Sequence, residues 1–137
     1  MDGKTLKAGS DYEIGYWDNK AVGTCTMYFK GKGIYTGFCT MLFDIMPAKA
    51  TIKSLVAKKK SLTVNIAKKA AKYGTKKFQV RYKIKGTNKW KTKTTTSRTP
   101  TLKKLKKGKR YVVQVRAYKD NYYVGKWSAA KTSKKIK

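Results

Sequence analysis

Between Leu102 and Tyr118 the chain reads LKKLKKGKRYVVQVRAY, and from Tyr111 onward the residues alternate in character. Tyr111, Val113, Val115 and Ala117 fall on one side, while Val112, Gln114, Arg116 and Tyr118 fall on the other. Successive side chains leave a pleated strand in opposite directions, so this two-residue period predicts a strand with one buried face. A helix would space its apolar residues three and four apart, and no such period persists anywhere in the chain. Upstream, Leu102 and Leu105 lead into Lys106-Lys107-Gly108-Lys109, where glycine permits a left-handed turn that residues with a Cβ resist.

Tyr111 then stands where a buried ring can return its hydroxyl to the backbone near Leu105. Leu105, Gly108 and Tyr111 resemble the tyrosine corner of β-sandwich domains. The same alternation recurs from Thr51 onward. Ile52, Leu55 and Val56 begin one strand; Leu62, Val64 and Ile66 mark a second; Phe78, Val80, Tyr82 and Ile84 mark a third. A short strand at Trp90, one at Leu102 and Leu105, the Tyr111 strand, and a last one from Gly125 through Trp127 to Ile136 bring the expectation to seven, which suits a sandwich. The run Lys68 to Lys72 is too short to hold a helix alone.

Earlier in the chain, Thr24 to Lys30 and Cys39 to Asp44 flank the turn Gly31 to Gly37 and predict a β-hairpin. Its inner face would carry Cys25, Met27 and Phe29 on one strand and Cys39, Met41 and Phe43 on the other. Cys25 and Cys39 are disposed almost symmetrically about Lys32. A disulfide between them requires a register that sets them opposite each other; otherwise they are two small apolar side chains. Metal binding is not expected, since two thiols without histidine fall short of four zinc ligands.

Charge divides the chain. Residues 1–45 hold five lysines and five acids, whereas the other 92 residues hold 30 bases and the single acid Asp120, so the whole excess of +29 lies there. This step, beside Pro47, predicts a boundary: residues 1–45 as one module, 46–50 as a short linker and 51–137 as a second module. Histidine is absent and five of the six acids lie in the first 44 residues, so the commonest acid/base groups are missing and no catalytic residue, metal or cofactor is expected. No apolar run is long enough to span a membrane, and MDGKTLK lacks the apolar core of a signal peptide.

Two resemblances follow from particular residues. Asp11-Tyr12, Tyr16 to Lys20, Val22-Gly23-Thr24, Gly31 to Gly33 and Tyr35-Thr36-Gly37 are similar to motifs of Ig-like YTG repeats in Gram-positive bacterial surface proteins, here without the opening strands. The pattern Phe78, Val80, Tyr82, then Leu105, Gly108, Tyr111, Val113, Val115, Ala117, then Gly125-Lys126-Trp127-Ser128 resembles a fibronectin type III domain over residues 47–137, in the lysine-rich form seen in secreted Firmicutes proteins. That family usually carries a core tryptophan where Ile66 stands here. The resemblance therefore implies a core repacked around Trp90, Trp127 or the tyrosines. Together the two imply an all-β chain of two small sandwiches, the first incomplete, in an extracellular or cell-wall-associated protein. Gly-Lys-Trp-Ser is also similar to the Trp-Ser motif of cytokine receptors, a resemblance that implies Arg116 stacked on Trp127; the other reading is a Trp127 that covers the edge of the core.

Lysines at alternate positions, as in Arg81-x-Lys83-x-Lys85 and Lys89-x-Lys91-x-Lys93, are expected to face outward and blunt the sheet edges. An excess of this size also favours anionic neighbours. With four arginines against 31 lysines, bidentate reading of bases is poorly served. The first expectation is a non-catalytic structural or adhesion module held on anionic cell-envelope polymers or against other surface proteins. A second is non-specific nucleic-acid binding, with Tyr118, Tyr122 and Tyr123 stacking beside Lys119 and Lys126. Carbohydrate binding through Tyr122, Tyr123 and Trp127 is the third.

Overall fold

Wherever the sequence alternates, the chain is extended. The computed structural model describes residues 3–68 and 75–137; the run Lys68–Lys72 falls outside them beyond Lys68. The chain divides into two units, Met1–Ile45 and Met46–Lys137.

The first unit is one antiparallel sheet of β1 (Tyr12–Trp17), β2 (Gly23–Gly31) and β3 (Phe38–Ile45), with β2 in the centre. Asp11 shapes the entry to β1: its carboxylate accepts from Lys7 N–H (2.9 Å), and its carbonyl accepts from Lys32 N–H (2.9 Å). Register places Ile14, Phe29 and Cys39 on one row, and Tyr16, Met27 and Met41 on the next. That face is apolar yet open, with Ile14, Tyr16 and Met41 at 42–55 % exposure. The described residues of this unit form a single three-stranded layer. The opposite face carries Trp17, Tyr28 and Phe38, whose rings stack at centroid distances of 4.9–5.9 Å. Gly15 makes room for this cluster, because the Tyr28 ring lies where a Cβ would stand.

The same register rules out the disulfide. Cys25 pairs with Phe43 and Cys39 with Phe29, so the thiols share a face but lie four residues apart along the strands, about 13 Å at the rise of a strand. A disulfide spans at most about 7 Å between Cα atoms. Both cysteines are free: Cys25 is buried, with its thiol on the Asp18 carbonyl (2.9 Å), and Cys39 is exposed.

Among the described residues the second unit is a sandwich of seven strands. One sheet holds β4 (Ile52–Lys58), β5 (Ser61–Ile66) and β8 (Thr101–Leu102). The other runs β10 (Lys131–Thr132), β9 (Tyr111–Tyr118), β6 (Lys77–Ile84) and β7 (Lys91–Thr95). Leu62 and Val64 face Phe78, Val80, Val113, Val115 and Ala117 across the layers, all at 0–1 % exposure. Each such valine, leucine or phenylalanine contributes about 1.5–3 kcal/mol by leaving water.

Several details depart from the sequence expectation. Trp90 precedes β7 rather than lying in a strand, and the final segment is strand only at Lys131–Thr132. Its backbone nonetheless follows β9, with Ser128 N–H on Val115 O (2.8 Å) and Ser133 N–H on Tyr111 O (2.8 Å). Residues 46–50 are no free linker: Ala50 is fully buried in the core, and Pro47 lies against Gly125. Neither Trp90 nor Trp127 belongs to the core, which is aliphatic apart from Phe78 and Tyr111. Lys91 and Lys93 do not face outward either. They pair with Tyr82 and Val80, which puts them on the core side of edge strand β7, where the Lys93 ammonium donates to Thr101 O (2.9 Å) across the gap to the other sheet. Inward-directed charge of this kind stops an edge from recruiting further strands.

Candidate binding surface

The outer face of the β6–β9 pair is built by register. Gln79 stands opposite Arg116 and Arg81 opposite Gln114, so each arginine has an amide directly across and the other arginine on the diagonal. Arg81 donates from Nε and Nη2 to Gln114 Oε1 (2.9 and 2.7 Å), and Arg116 Nε donates to Gln79 Oε1 (2.8 Å). Gln114 in turn donates to Ser128 O (2.8 Å), which fixes the Gly125–Ser128 segment against β9. Ser128 is buried; its hydroxyl accepts from Val115 N–H (3.0 Å) and donates to Ala129 O (2.9 Å).

Two tryptophans complete the surface. The Arg81 guanidinium lies 4.5 Å from the Trp90 ring centroid and 4.4 Å from that of Trp127, and Arg116 lies 4.3 Å from Trp127. Lys83 adds its ammonium over Trp90 at 4.8 Å. The result is an alternating series, Lys83, Trp90, Arg81, Trp127, Arg116, in which cations meet the negative faces of indole rings. Burial, and then repulsion from Arg81, lowers the Arg116 pKa below its ordinary value. An arginine nevertheless stays charged at neutral pH. The oxygen partners found here are neutral amides, so the series keeps its positive charge.

The Arg116–Trp127 contact implied by the sequence is present. Arg81, Trp90 and Lys83 were not singled out, although Arg81 stands one register step diagonally from Arg116. The residues expected to stack ligands are not gathered together. Trp127 is already engaged by two guanidinium groups, which removes it as an open platform for a base or a sugar. Tyr122 and Tyr123 lie in the turn beyond β9, where Asp120 Oδ1 accepts from both of their N–H groups (2.9 and 3.0 Å). Tyr122 is 88 % exposed, whereas Tyr123 is half-buried with Lys119 over its ring at 5.4 Å. Tyr118 pairs with Val124 at the base of that turn. The hydrogen bond from Tyr123 N–H, above all, lowers the Asp120 pKa, with help from Tyr122 N–H, Lys119 and Lys77.

At the other end of β9, Gly108 takes a left-handed φ of 74°, and Lys106 N–H donates to Tyr111 Oη (3.0 Å). Tyr111 thereby ties the crossing segment to the sheet it enters. Among the described residues no cluster of three or more histidine, cysteine, aspartate or glutamate side chains could hold a metal, and no helix is long and apolar enough to cross a membrane.

The profile of the fibronectin type III domain matches residues 47–134. The chain belongs to the fibronectin type III family. Solved structures agree with the fold. A structure described as a myokine superposes with a TM-score of 0.50 at 19 % identity, covering 67 % of this chain and 97 % of its own. Titin domains A168–A170 superpose with a TM-score of 0.58 at 12 % identity over 99 % of this chain, which spans 52 % of that structure. No curated protein matches the chain. Fibronectin type III domains are in general non-catalytic structural or binding modules, common in extracellular proteins. The charge series lies on the surface of one such domain.

Proposed function

We propose that this chain is a non-catalytic module of a bacterial cell surface, in which the fibronectin type III unit is held against anionic polymers of the envelope, teichoic acids above all, while the smaller unit is part of an Ig-like YTG repeat. The observation that carries this reading is the uncompensated charge of the second unit: Asp120 is its one acid, set against 30 bases, and the two stacked arginines bond to amides. Solubility asks for far less, about 2 to 8 net charges on a small domain. Lysine gives diffuse, salt-sensitive attraction suited to a flexible polyanion rather than to a fixed pattern of bases. The test is retention on isolated walls. Binding to walls that contain teichoic acid, and its loss on walls stripped of the polymer, is expected; equal retention on both contradicts the reading.

One observation favours a second reading. Tyr122, 88 % exposed and close in sequence to Lys119 and Lys126, offers a ring face on which a single-stranded base could stack. Non-specific nucleic-acid binding would show as single-stranded DNA displacing wall polymer at physiological salt and losing affinity in Tyr122→Ala.

A further inference from the structure

A groove opens at the tyrosine-corner end of the sandwich, between the edge made by β6 and β7 and the crossing segment 103–106. Its volume is about 450 Å³, within the range of small-ligand sites. Tyr82, Ile84, Leu105 and Tyr111 form an apolar floor, and five of the six lining lysines, Lys89, Lys91, Lys103, Lys104 and Lys106, stand around it, while the sixth, Lys83, holds its ammonium over Trp90. No acid is among the lining residues. Asp120 lies at the opposite end of β9, about 23 Å away at the rise of a strand.

Backbone geometry sets where these side chains leave the chain. Lys91 is carried on the core side of β7 opposite Tyr82, so it borders the groove rather than the outer face. Lys104 adopts a left-handed φ of 57°, unusual for a residue with a side chain, and Leu105 beside it donates its N–H to Lys60 O (3.0 Å). The bond from Lys106 N–H to Tyr111 Oη fixes the far side of the rim. Five like charges around one concavity repel one another at a cost that a bound polyanion removes.

The geometry points to this groove as the seat for a segment of a polyol-phosphate chain, its phosphodiesters on the lysine rim and its carbon backbone over Tyr82, Ile84 and Leu105. This deepens, and rests on, the wall-polymer reading above by assigning it a site. A base-bearing polymer suits the groove less well: Tyr111 is only 5 % exposed and Tyr82 is half-buried, so neither presents the open ring face that base stacking uses. Arginine, the usual bidentate partner of bases, is absent from the lining.

The test uses the full chain and a synthetic poly(glycerol phosphate) oligomer, with affinity measured by calorimetry in 0.1 M salt and amide shifts followed by NMR. The groove variant is Lys89→Gln, Lys91→Gln, Lys104→Gln. The charge-matched control, Lys76→Gln, Lys119→Gln, Lys126→Gln, removes the same charge from residues off the groove. Each lysine near a polyanionic surface is worth about fivefold, so the groove variant is expected to lose about 100-fold in affinity and the control less than about tenfold. Shifts in the wild type are expected at Ile84 and Leu105 and not at Tyr122. Matching melting temperatures show that both variants fold. Equal losses in the two variants, or shifts spread over the whole unit, overturn the groove while leaving diffuse wall binding intact. Absence of wild-type binding overturns both. Preference for single-stranded DNA over the oligomer, lost in the groove variant, overturns the choice of ligand.

Discussion

Removing one oxygen atom from Tyr111 should measure what the corner contributes. Tyr111→Phe keeps the buried ring but deletes the acceptor for Lys106 N–H at 3.0 Å. A fully buried donor left without a partner costs about 1–3 kcal/mol, and an ordinary exchange with water about 0.5–1.5 kcal/mol. Lys106 is exposed while Tyr111 is buried, so water reaches the freed N–H in part and a cost of about 1–1.5 kcal/mol is expected. For a unit of this size, 1 kcal/mol corresponds to about 4–8 °C in melting temperature. Tyr111→Phe should therefore melt roughly 5–10 °C lower, with an unchanged urea m-value. Hydrogen exchange supplies the local reading: protection of the Lys106 amide should drop further than that of Val113 or Val115. An unchanged midpoint together with an unchanged Lys106 exchange rate would refute the idea that this hydroxyl ties segment 103–109 to β9.

Further outcomes are expected elsewhere. Arg81→Lys keeps the charge but loses the planar contact with Trp90 and Trp127 and the paired bonds to Gln114, so chemical denaturation should show a loss of about 1–2 kcal/mol while polyanion affinity stays within about twofold. Thiol labelling of the native chain should modify Cys39 and spare Cys25, which is 1 % exposed; labelling of both, or an internal disulfide by mass spectrometry, would contradict the register of β2 and β3. The Asp120 pKa is lower folded than unfolded, so its stabilising contribution is complete above the ordinary carboxylate range, near 4, and is lost as pH falls through the folded value. Asp120→Asn should accordingly flatten the acid limb of the stability profile below about pH 4, and a carboxyl titration followed by NMR should place the Asp120 midpoint below that range.

Strands with a strict two-residue period were legible in the sequence because burial on one face imposes that period. Phe78, Val80, Val113, Val115 and Ala117 all sit inside, as their alternation implies. Where pairing is held by scattered backbone donations, the sequence overstated regularity: Gly125 to Ile136 was expected as one strand and does follow β9, yet its ladder is regular only at Lys131–Thr132. Faces at an edge were misread for a related reason. Lys91 and Lys93 alternate like outward residues, but on the last strand of a sheet the core side is itself open to water, so charge is tolerated there. Register was the other hidden quantity. A hairpin pattern fixes which faces its residues share but leaves open where the two strands meet, and that offset separates Cys25 from Cys39 and sets Arg81 diagonal to Arg116. A four-residue resemblance offered the Arg116–Trp127 contact as one of two readings, whereas nothing in the sequence pattern joined Trp90 to Arg81.

The dependence of binding on salt tests most directly whether the second unit works through its unbalanced charge. Each phosphate neutralised on a flexible chain contributes about 0.7 to the slope of log affinity against log salt, so the five rim lysines other than Lys83 correspond to a slope of about −3.5 for the polyol-phosphate oligomer. Titration from 50 to 300 mM salt should give that steep line in the full chain and a line about two units shallower in the groove variant. A flat line, with affinity unchanged across the range, would mean that something other than the lysine charge holds the polymer.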